Sequence, residues 1–418
     1  MPFQARLGPL GTDPMTTEAL RDLPSRQKSV TLQHRFDQPD GLGRMIRWRR
    51  TSSSVSARTR GIPWQSRAVT ERVLSTRELN RALLARQLLL GRSPAPLVRA
   101  IERIGGLQTQ YAPSAYVSLW SRLKDFRREA LTTALYRRRV VQATLMRVTI
   151  HIVSAHDFPL FAAGIRKDRR DWWLRVHRKE IDGIDMEAVA ARVRALLAEG
   201  PRRGSQLKDR LSADDFPPVV WSGVGLWVDV VRVPPSGTWE QRRADLYGLA
   251  DEWLDGPRPT EAEGLEHLIR RYLEGFGPGS AKDVASWAGL SVTRILSAVE
   301  RMRLRRFRDE QGGELLDVPG APLPDRETQA PVRFLPTWDA TLLVHARRAQ
   351  ILPELHRPLV FDTSTPHSVS TFLVDGAVAG TWRYERGRVG LELFDPLPRS
   401  ARRELEDEAK HLAAFHGD

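Results

Sequence analysis

Ser280-Ala281-Lys282-Asp283-Val284-Ala285-Ser286-Trp287-Ala288, then Gly289-Leu290-Ser291, then Val292 to Arg301 reads as a helix, a glycine turn and a second helix. This is the clearest helix-turn-helix signal in the chain. Working outward, Leu265 to Leu273 supplies a preceding helix, and Gly277-Pro278-Gly279 separates the two. Downstream, the strand-like runs Arg305 to Asp309 and Glu314 to Val318 are joined by Gly312-Gly313, as the two strands of a wing would be. Helices followed by a strand pair is the winged-helix order, a helix-turn-helix variant built to meet DNA.

The same order recurs upstream. Residues 187–210 read as a helix, then Gly200-Pro201, then a second helix around Gln206 to Leu211. Val228 to Val233 is expected as a strand. Pro234-Pro235-Ser236-Gly237 is a turn, and Thr238-Trp239 is expected to begin the return strand. Further upstream, Ser75-Thr76-Arg77-Glu78 is a capping-box pattern. Leu84, Ala85, Leu88 and Leu89 then share one helical face. Leu97, Ile101 and Ile104 mark a second helix after Pro94 or Pro96, ended by Gly105-Gly106. Tyr116, Leu119, Trp120 and Leu123 mark a third. In the stretch from Arg147 to Ser154, Val148, Ile150 and Ile152 alternate with Arg147, Thr149 and His151, which predicts a strand with one apolar and one polar face. Residues 331–418 differ. Strands are expected at Ser368 to Val374, Gly380 to Tyr384 and Val389 to Leu393, with a final helix from Ala401 to Phe415.

The expected fold is therefore mainly α with a small β content (α+β), as tandem winged-helix domains and a small C-terminal α/β module. The expected divisions are a basic, disordered tail over 1–72, winged helices over 73–175, 176–256 and 257–330, and the module over 331–418.

Charge narrows the partner. The formal net charge of the 418 residues is +14, with a pI near 10.6, which points to an anionic partner. Residues 1–70 hold 12 Lys/Arg against 5 Asp/Glu, leaving a modestly basic body behind a strongly basic tail. Only 7 of the 65 cations are Lys. The excess of Arg fits phosphate and guanine recognition, and it equally fits a codon bias. The tail reads as a weak DNA-binding arm, as the product of an upstream start codon, or as a transit peptide. No run approaches the ~20 apolar residues of a membrane span, and no secretory signal is present. Cys is absent, which excludes disulfides and thiolate metal sites.

Gln108-Thr109-Gln110 is the best candidate for chemistry. Two residues apart, the side chains would diverge on a helix and point the same way on an extended segment. Gly105-Gly106 before the pair, and Pro113 pushing Ala112 out of the helical region, favour extension. Two neutral amides would then converge, offering donors and acceptors. Read alone, the pair also fits a loop whose amides satisfy backbone groups. His151 shares a face with Arg147 and Thr149, which suits phosphate contact, a hydrogen bond in a polar groove, or a solvated strand face. Arg242-Arg243, and Arg301, Arg303, Arg305 and Arg306, are candidate phosphate contacts or a solvated face. Trp172-Trp173, Trp221 and Trp227 read as core. Asp339, a lone acid in an apolar setting, reads as a helix cap or as support for a site. No metal is expected at His151, His156 and Asp157, and no nucleotide-binding glycine motif or nucleophile elbow is present.

Several stretches in order resemble the winged-helix DNA glycosylases of the AlkZ type. They are Gly106 to Tyr116 with Leu119-Trp120-Ser121-Arg122-Leu123, Ala143 to Arg147 with Thr149 to Ser154, and Pro234 to Trp239. Trp338 to Leu343, Thr371 to Gly376 and Ala379 to Trp382 complete the likeness, which covers about residues 75–415. The resemblance implies tandem winged helices in a C-shaped body. It implies a monofunctional glycosylase for cationic N7- or N3-alkylated purines, with bulky natural-product adducts and interstrand crosslinks among the substrates. The family's Gln-x-Gln falls on Gln108 and Gln110. Arg147, Thr149, His151, Arg242, Arg243 and Arg303 remain the DNA-contact candidates. The implied partner is double-stranded DNA with alkylated bases. No cofactor and no membrane are expected, and the chain is expected to act as a monomer in the cytoplasm, at the nucleoid. The alternative is a non-catalytic tandem winged-helix transcriptional regulator. Because residues 1–72 have no counterpart in the resemblance, a chain lacking them is expected to fold and to excise alkylated bases as the full chain does, measured by circular dichroism and abasic-site formation.

Overall fold

Ser75, Thr260 and Ser280 each cap a helix, and each closes a capping box with the acid three residues on, Glu78, Glu263 and Asp283. Side-chain oxygens at these positions satisfy backbone N–H groups that a helix start leaves open. The computed structural model describes residues 71–256, 258–343, 348–361 and 368–417. The basic tail expected over residues 1–72 lies outside these, except for Glu71 and Arg72.

The chain opens with strand β1 (Val73–Leu74) and helix α1 (Thr76–Arg86). Next come α2 (Leu97–Arg103), β2 (Leu107–Gln108), α3 (Ala112–Arg122), α4 (Arg128–Tyr136), and the hairpin β3 (Val140–Thr144) with β4 (Ile150–Ser154). The long α5 (Asp157–Val176) leads to α6 (Met186–Ala198), β5 (Arg202–Arg203), α7 (Gly204–Ala213) and α8 (Val220–Gly223). The hairpin β6 (Val230–Arg232) and β7 (Leu246–Leu249) follows. A third round has α9 (Glu261–Phe276), α10 (Ala281–Ala288), α11 (Val292–Val299), β8 (Arg305–Asp309) and β9 (Glu314–Asp317). The last segment holds β10 (Arg333–Leu335), α12 (Ala340–Leu343), α13 (Arg357–Val360), β11 (Thr371–Val374), β12 (Ala377–Glu385), β13 (Arg388–Leu393) and α14 (Arg399–Gly417). The fold is mixed α+β.

The first three rounds share one order: helix, short strand, helix, helix, hairpin. In each, the short strand pairs with the second strand of the hairpin: β2 with β4, β5 with β7, and Gly279 with Leu316 on β9. The rounds are not separate beads. One pairing, Gln142 with Arg232, joins β3 to β6 and makes a six-stranded sheet in the order β2-β4-β3-β6-β7-β5. β1 runs parallel to β8 and extends the third hairpin to three strands. β10 to β13 form a four-stranded antiparallel sheet. The described residues form one compact unit, and cores and sheets cross the expected divisions at 175, 256 and 330. One core joins α2 to α4 to Phe334, Phe372, Trp382 and Phe415 of the last segment.

α5 crosses α9 at bare backbone. A Cβ on Gly264 would lie 2.5 Å from the Gly164 nitrogen and the Leu160 carbonyl oxygen. Only glycines allow so close an approach, which brings the first and third rounds together.

Four local readings are corrected. Helix α3 begins at Ala112, with Pro113 in its first turn, where proline's missing N–H is no loss; the extended backbone ends at Tyr111. The strand expected over Arg147 to Ser154 starts at Ile150. Met146 to Val148 is a single 3₁₀ turn in which Arg147 (φ 54°) and Val148 (φ 62°) are left-handed, so Arg147 leaves the strand face. β4 lies between β2 and β3, and its 151–154 stretch is buried rather than half-solvated. Finally, Thr238-Trp239 stays in a tight turn, where Thr238 Oγ1 donates to Pro235 O at 2.8 Å, and the return strand is β7.

Gly264→Val places two methyl groups against backbone that cannot yield. It is expected to cost about 1–3 kcal/mol of stability, read as a lower urea midpoint at unchanged m-value.

Candidate active site

Gly105 and Gly106, at φ +77° and +87°, turn the chain from α2 into β2. A Cβ on Gly106 would meet Val153 Cγ1 at 2.9 Å, so only glycine lets β2 lie this close to β4. Gln108 pairs with His151 across the ladder, and Thr109 N donates to Ile150 O at 2.8 Å. The Gln108 side chain is buried. Its carbonyl Oε1 accepts from Arg147 Nη2, while Arg147 Nη1 donates to Trp287 O at 2.7 Å. Trp287 is on α10, and Gly289, the left-handed turn after α10, lies against the Arg147 backbone: a Cβ there would be 3.3 Å from Arg147 N. The helix-turn-helix of the third round thus holds the arginine that orients Gln108.

Gln110 behaves differently. It follows β2 in a bend, is exposed, and lines a cleft of about 460 Å³ whose wall includes Thr149, Arg169, Trp221, Arg232 and Tyr247. Gln108 instead borders a small cavity of about 10 Å³, with Gln87, Ser118, Arg122 and Asp339. Such a space is about one water in size. The structure keeps the two glutamines adjacent along the backbone but opens them onto different spaces. Tyr111, next in sequence, accepts from Arg242 Nη1 at its hydroxyl at 2.9 Å.

Beneath the pair lie two polar groups placed by neighbouring elements. Arg122 and Asp339 form a fully buried ion pair, 2.9 and 3.0 Å, completed by Ser118, Thr341 and Gln87. Burial alone would raise the Asp339 carboxyl, but the Arg122 charge and the hydrogen bonds from Arg122 and Thr341 outweigh it and hold it below the usual range. Asp339 also caps α12 by accepting from Thr341 N at 3.0 Å, as expected; its arginine partner was not legible. His151 is buried, with Nδ1 3.0 Å from Thr149 O. Burial first, and the Arg147 charge second, bring its pKa down to about 3, so it is neutral at pH 7 and its Nδ1–H donates to the carbonyl. The solvated strand face expected for His151 is thereby corrected: its ring is buried, on the strand that pairs with Gln108.

Among the other expected contacts, Arg243 and Arg303 are exposed, and Arg243 Nε lies 3.0 Å from Asp245. Thr149 Oγ1 donates to Met146 O at 2.8 Å. Trp173 and Trp227 are core, as expected, but Trp221 is half-buried on the cleft wall, 5.2 Å edge-on from Tyr247. His156 and Asp157 gather with His267, not His151, and Arg271 Nη2 sits 3.0 Å from the same Asp157 oxygen. The sequence reading missed Arg169 and Arg232, since a lone arginine in a helix or strand carries no sign of burial.

The sequence model of the AlkZ-like DNA glycosylases matches residues 101–415. The chain belongs to the AlkZ-like DNA glycosylase family. It is 23% identical over 368 residues to an interstrand DNA cross-link repair glycosylase of Streptomyces sahachiroi, covering 80% of this chain and 94% of that one. Its fold matches the structure of Streptomyces sahachiroi DNA glycosylase AlkZ with a TM-score of 0.68 at 18% identity, covering 82% of this chain and 97% of that chain. The protein is thus a DNA glycosylase, a hydrolase of N-glycosyl bonds, and the regulator reading is not favoured. Among the described residues no helix is long and apolar enough to cross a membrane.

The depressed His151 pKa has a sign that can be checked. The unfolded chain takes up a proton below about 6.5, whereas the folded one resists to about 3. Stability therefore falls as pH drops through this window. His416, brought down to about 4 by burial and by the Arg128 and Arg242 charges, adds to the same slope. His151→Asn is expected to flatten the loss of stability between pH 6 and 4, within the window of about 6.5 to 3, without abolishing it, read from urea midpoints across that range.

Proposed function

We propose that the protein is a monofunctional glycosylase that hydrolyses the N-glycosidic bond of cationic N7- or N3-alkylated purines in double-stranded DNA. Bulky adducts and interstrand crosslinks are within its range, in general repair or self-resistance. The observation that carries the reading is the exposed Gln110 amide on the rim of the cleft, beside a Gln108 amide fixed by Arg147. The cross-link repair activity in the name of the Streptomyces relative supports the lesion class. We read the three helix–hairpin rounds as winged helices in tandem, C-shaped around the DNA, with Arg147, Thr149, Arg242, Arg243 and Arg303 on the DNA side. The enzyme acts as a monomer in the cytoplasm, at the nucleoid.

The chemistry asks little of the protein. A purine alkylated at N7 or N3 is already cationic, so it departs without a general acid. The sugar gains oxocarbenium character, and the remaining task is to place a water and stabilise that charge. An amide carbonyl does both without titrating. Gln110 is the group that meets the strand and the water. Gln108, whose carbonyl is held by a guanidinium, keeps the short strand and its neighbour in place. Gln has no useful basicity, so uncharged normal bases are spared. No lysine is offered near the pair as a Schiff-base nucleophile, which fits hydrolysis without strand cleavage.

The test is abasic-site formation on a duplex with one N7-alkylguanine. Gln110→Ala and Gln108→Ala are each expected to lose about 10²-fold in single-turnover rate. The wild-type rate is expected to stay flat from pH 6 to 8, because His151 is already neutral there. Equal rates in all three proteins would reject the roles of the glutamines.

A further inference from the structure

Arg169 on α5 and Arg232 on β6 are buried, each 8% exposed, and neither meets a carboxylate among the described residues. The other buried arginines do: Arg86 with Asp317 at 2.6 Å, Arg122 with Asp339 at 2.9 Å, Arg81 with Asp375, and Arg333, more loosely, with Glu408 at 3.8 Å. Arg169 gives Nη1 to Leu145 O at 2.7 Å, and its Nε is buried without a partner. Arg232 gives Nε to Ala244 O at 2.9 Å and Nη2 to Thr144 Oγ1 at 3.0 Å and Tyr247 OH at 3.4 Å. Neither Arg169 Nη2 nor Arg232 Nη1 has a protein acceptor among the described residues. The two guanidiniums thus anchor to consecutive residues, Thr144 and Leu145, at the end of β3.

Both arginines line the cleft that Gln110 borders. Its one acid-base pair cancels itself, since Asp229 is taken by Arg166 at 2.6 Å. The cleft therefore carries two uncancelled positive charges against a wall of Phe158, Val224 and Leu226. An unpaired ion out of water is destabilising by several kcal/mol, and arginine cannot shed its charge as lysine or histidine would. Burial brings Arg169 down only to about 10, still charged at neutral pH. The charge that completes this site comes with a ligand. Two planar forks with free N–H groups suit the oxygens of a phosphate. They do not suit a cationic base, which they would repel.

We propose that Arg169 and Arg232 form a buried phosphate-binding site beside Gln110, filled by a backbone phosphate of the DNA strand on which the enzyme acts. This rests on the reading of the Gln110 cleft as the place where that strand lies. A phosphate seated here draws the strand into the cleft while leaving the alkylated base outside it.

The test measures binding, not excision, so its failure is distinct from failure of the glutamine roles. The probe is a duplex with one tetrahydrofuran abasic-site analogue, titrated at several salt concentrations. Arg169→Met and Arg232→Met keep the apolar stem and remove the fork. Each is expected to reduce the slope of log K against log salt by about 1, while Arg169→Lys keeps the slope. Unchanged slopes in folded Met variants overturn the proposal. In a second arm, inorganic phosphate replaces chloride at equal ionic strength. A phosphate-dependent rise in wild-type Tm that the Met variants lose, with unchanged DNA slopes, makes the site one for free phosphate and overturns the DNA source. Should the Met variants fail to fold, the wild-type protein is titrated with duplexes carrying one neutral methylphosphonate at a time around the analogue. Loss of about one unit of slope at a single linkage supports the site, and a flat profile overturns it.

Discussion

The Arg147 guanidinium joins two carbonyl oxygens that belong to different parts of the fold, the Gln108 amide and the backbone of Trp287. Most of the site depends on this bridge. Arg147 reaches both only because its own backbone is left-handed, and Val148 after it is left-handed too. Non-glycine residues in this region cost of order 1 kcal/mol or more each and persist only when their surroundings insist. Here the surroundings are α10 and Gly289, a helix end that presses on the turn, and the Thr149 hydroxyl that closes it. The helix-turn-helix over 280–301 is thus part of the scaffold that aims a glutamine 180 residues upstream.

Among the described residues two ion pairs are completely buried, Arg86 with Asp317 and Arg122 with Asp339, and each joins an early helix to a late segment. Such pairs add little net stability over apolar packing, but breaking one strands the other. Their effect is on register. Both terminal nitrogens of Arg122 donate, to Ser118, Asp339, Thr341 and Gln87, which ties α3 to the last segment at several points. The last segment is thereby fixed behind α3, and α3 follows directly on the glutamines. Trp239, from the second hairpin turn, adds an apolar clamp between Tyr116 and Phe415, with ring centres 5.6 and 5.7 Å away.

What the sequence made legible was local and periodic. The glycine turn at Gly289, the hairpin strands around Gly312-Gly313, the capping box at Ser75 and the late strands all sit where their residues put them, because each is decided within a few positions. The alternation from Arg147 misled, since two left-handed residues without glycine leave no trace in a hydrophobic pattern. Pro113 misled because a proline can open a helix as readily as exclude one. The glutamine pair was visible as a pair, but not its division of labour. Spacing alone cannot tell that Gln108 ends a two-residue strand under an arginine while Gln110 enters a bend at an open cleft. The buried arginines were invisible for a plainer reason: arginine reads as surface until tertiary structure closes over it.

The single pairing of Gln142 with Arg232, which makes two hairpins one sheet, bears on how such a chain can change over evolutionary time. Repeated units are often pictured as cassettes, free to be duplicated, dropped or exchanged. Here the seam is a hydrogen-bond ladder and not a linker, and the residue on its far side lines the cleft that Gln110 borders. Exchange of one round for a foreign one would leave an open sheet edge and half a cleft. A change in either hairpin is therefore felt across one continuous sheet, and through it at the cleft wall.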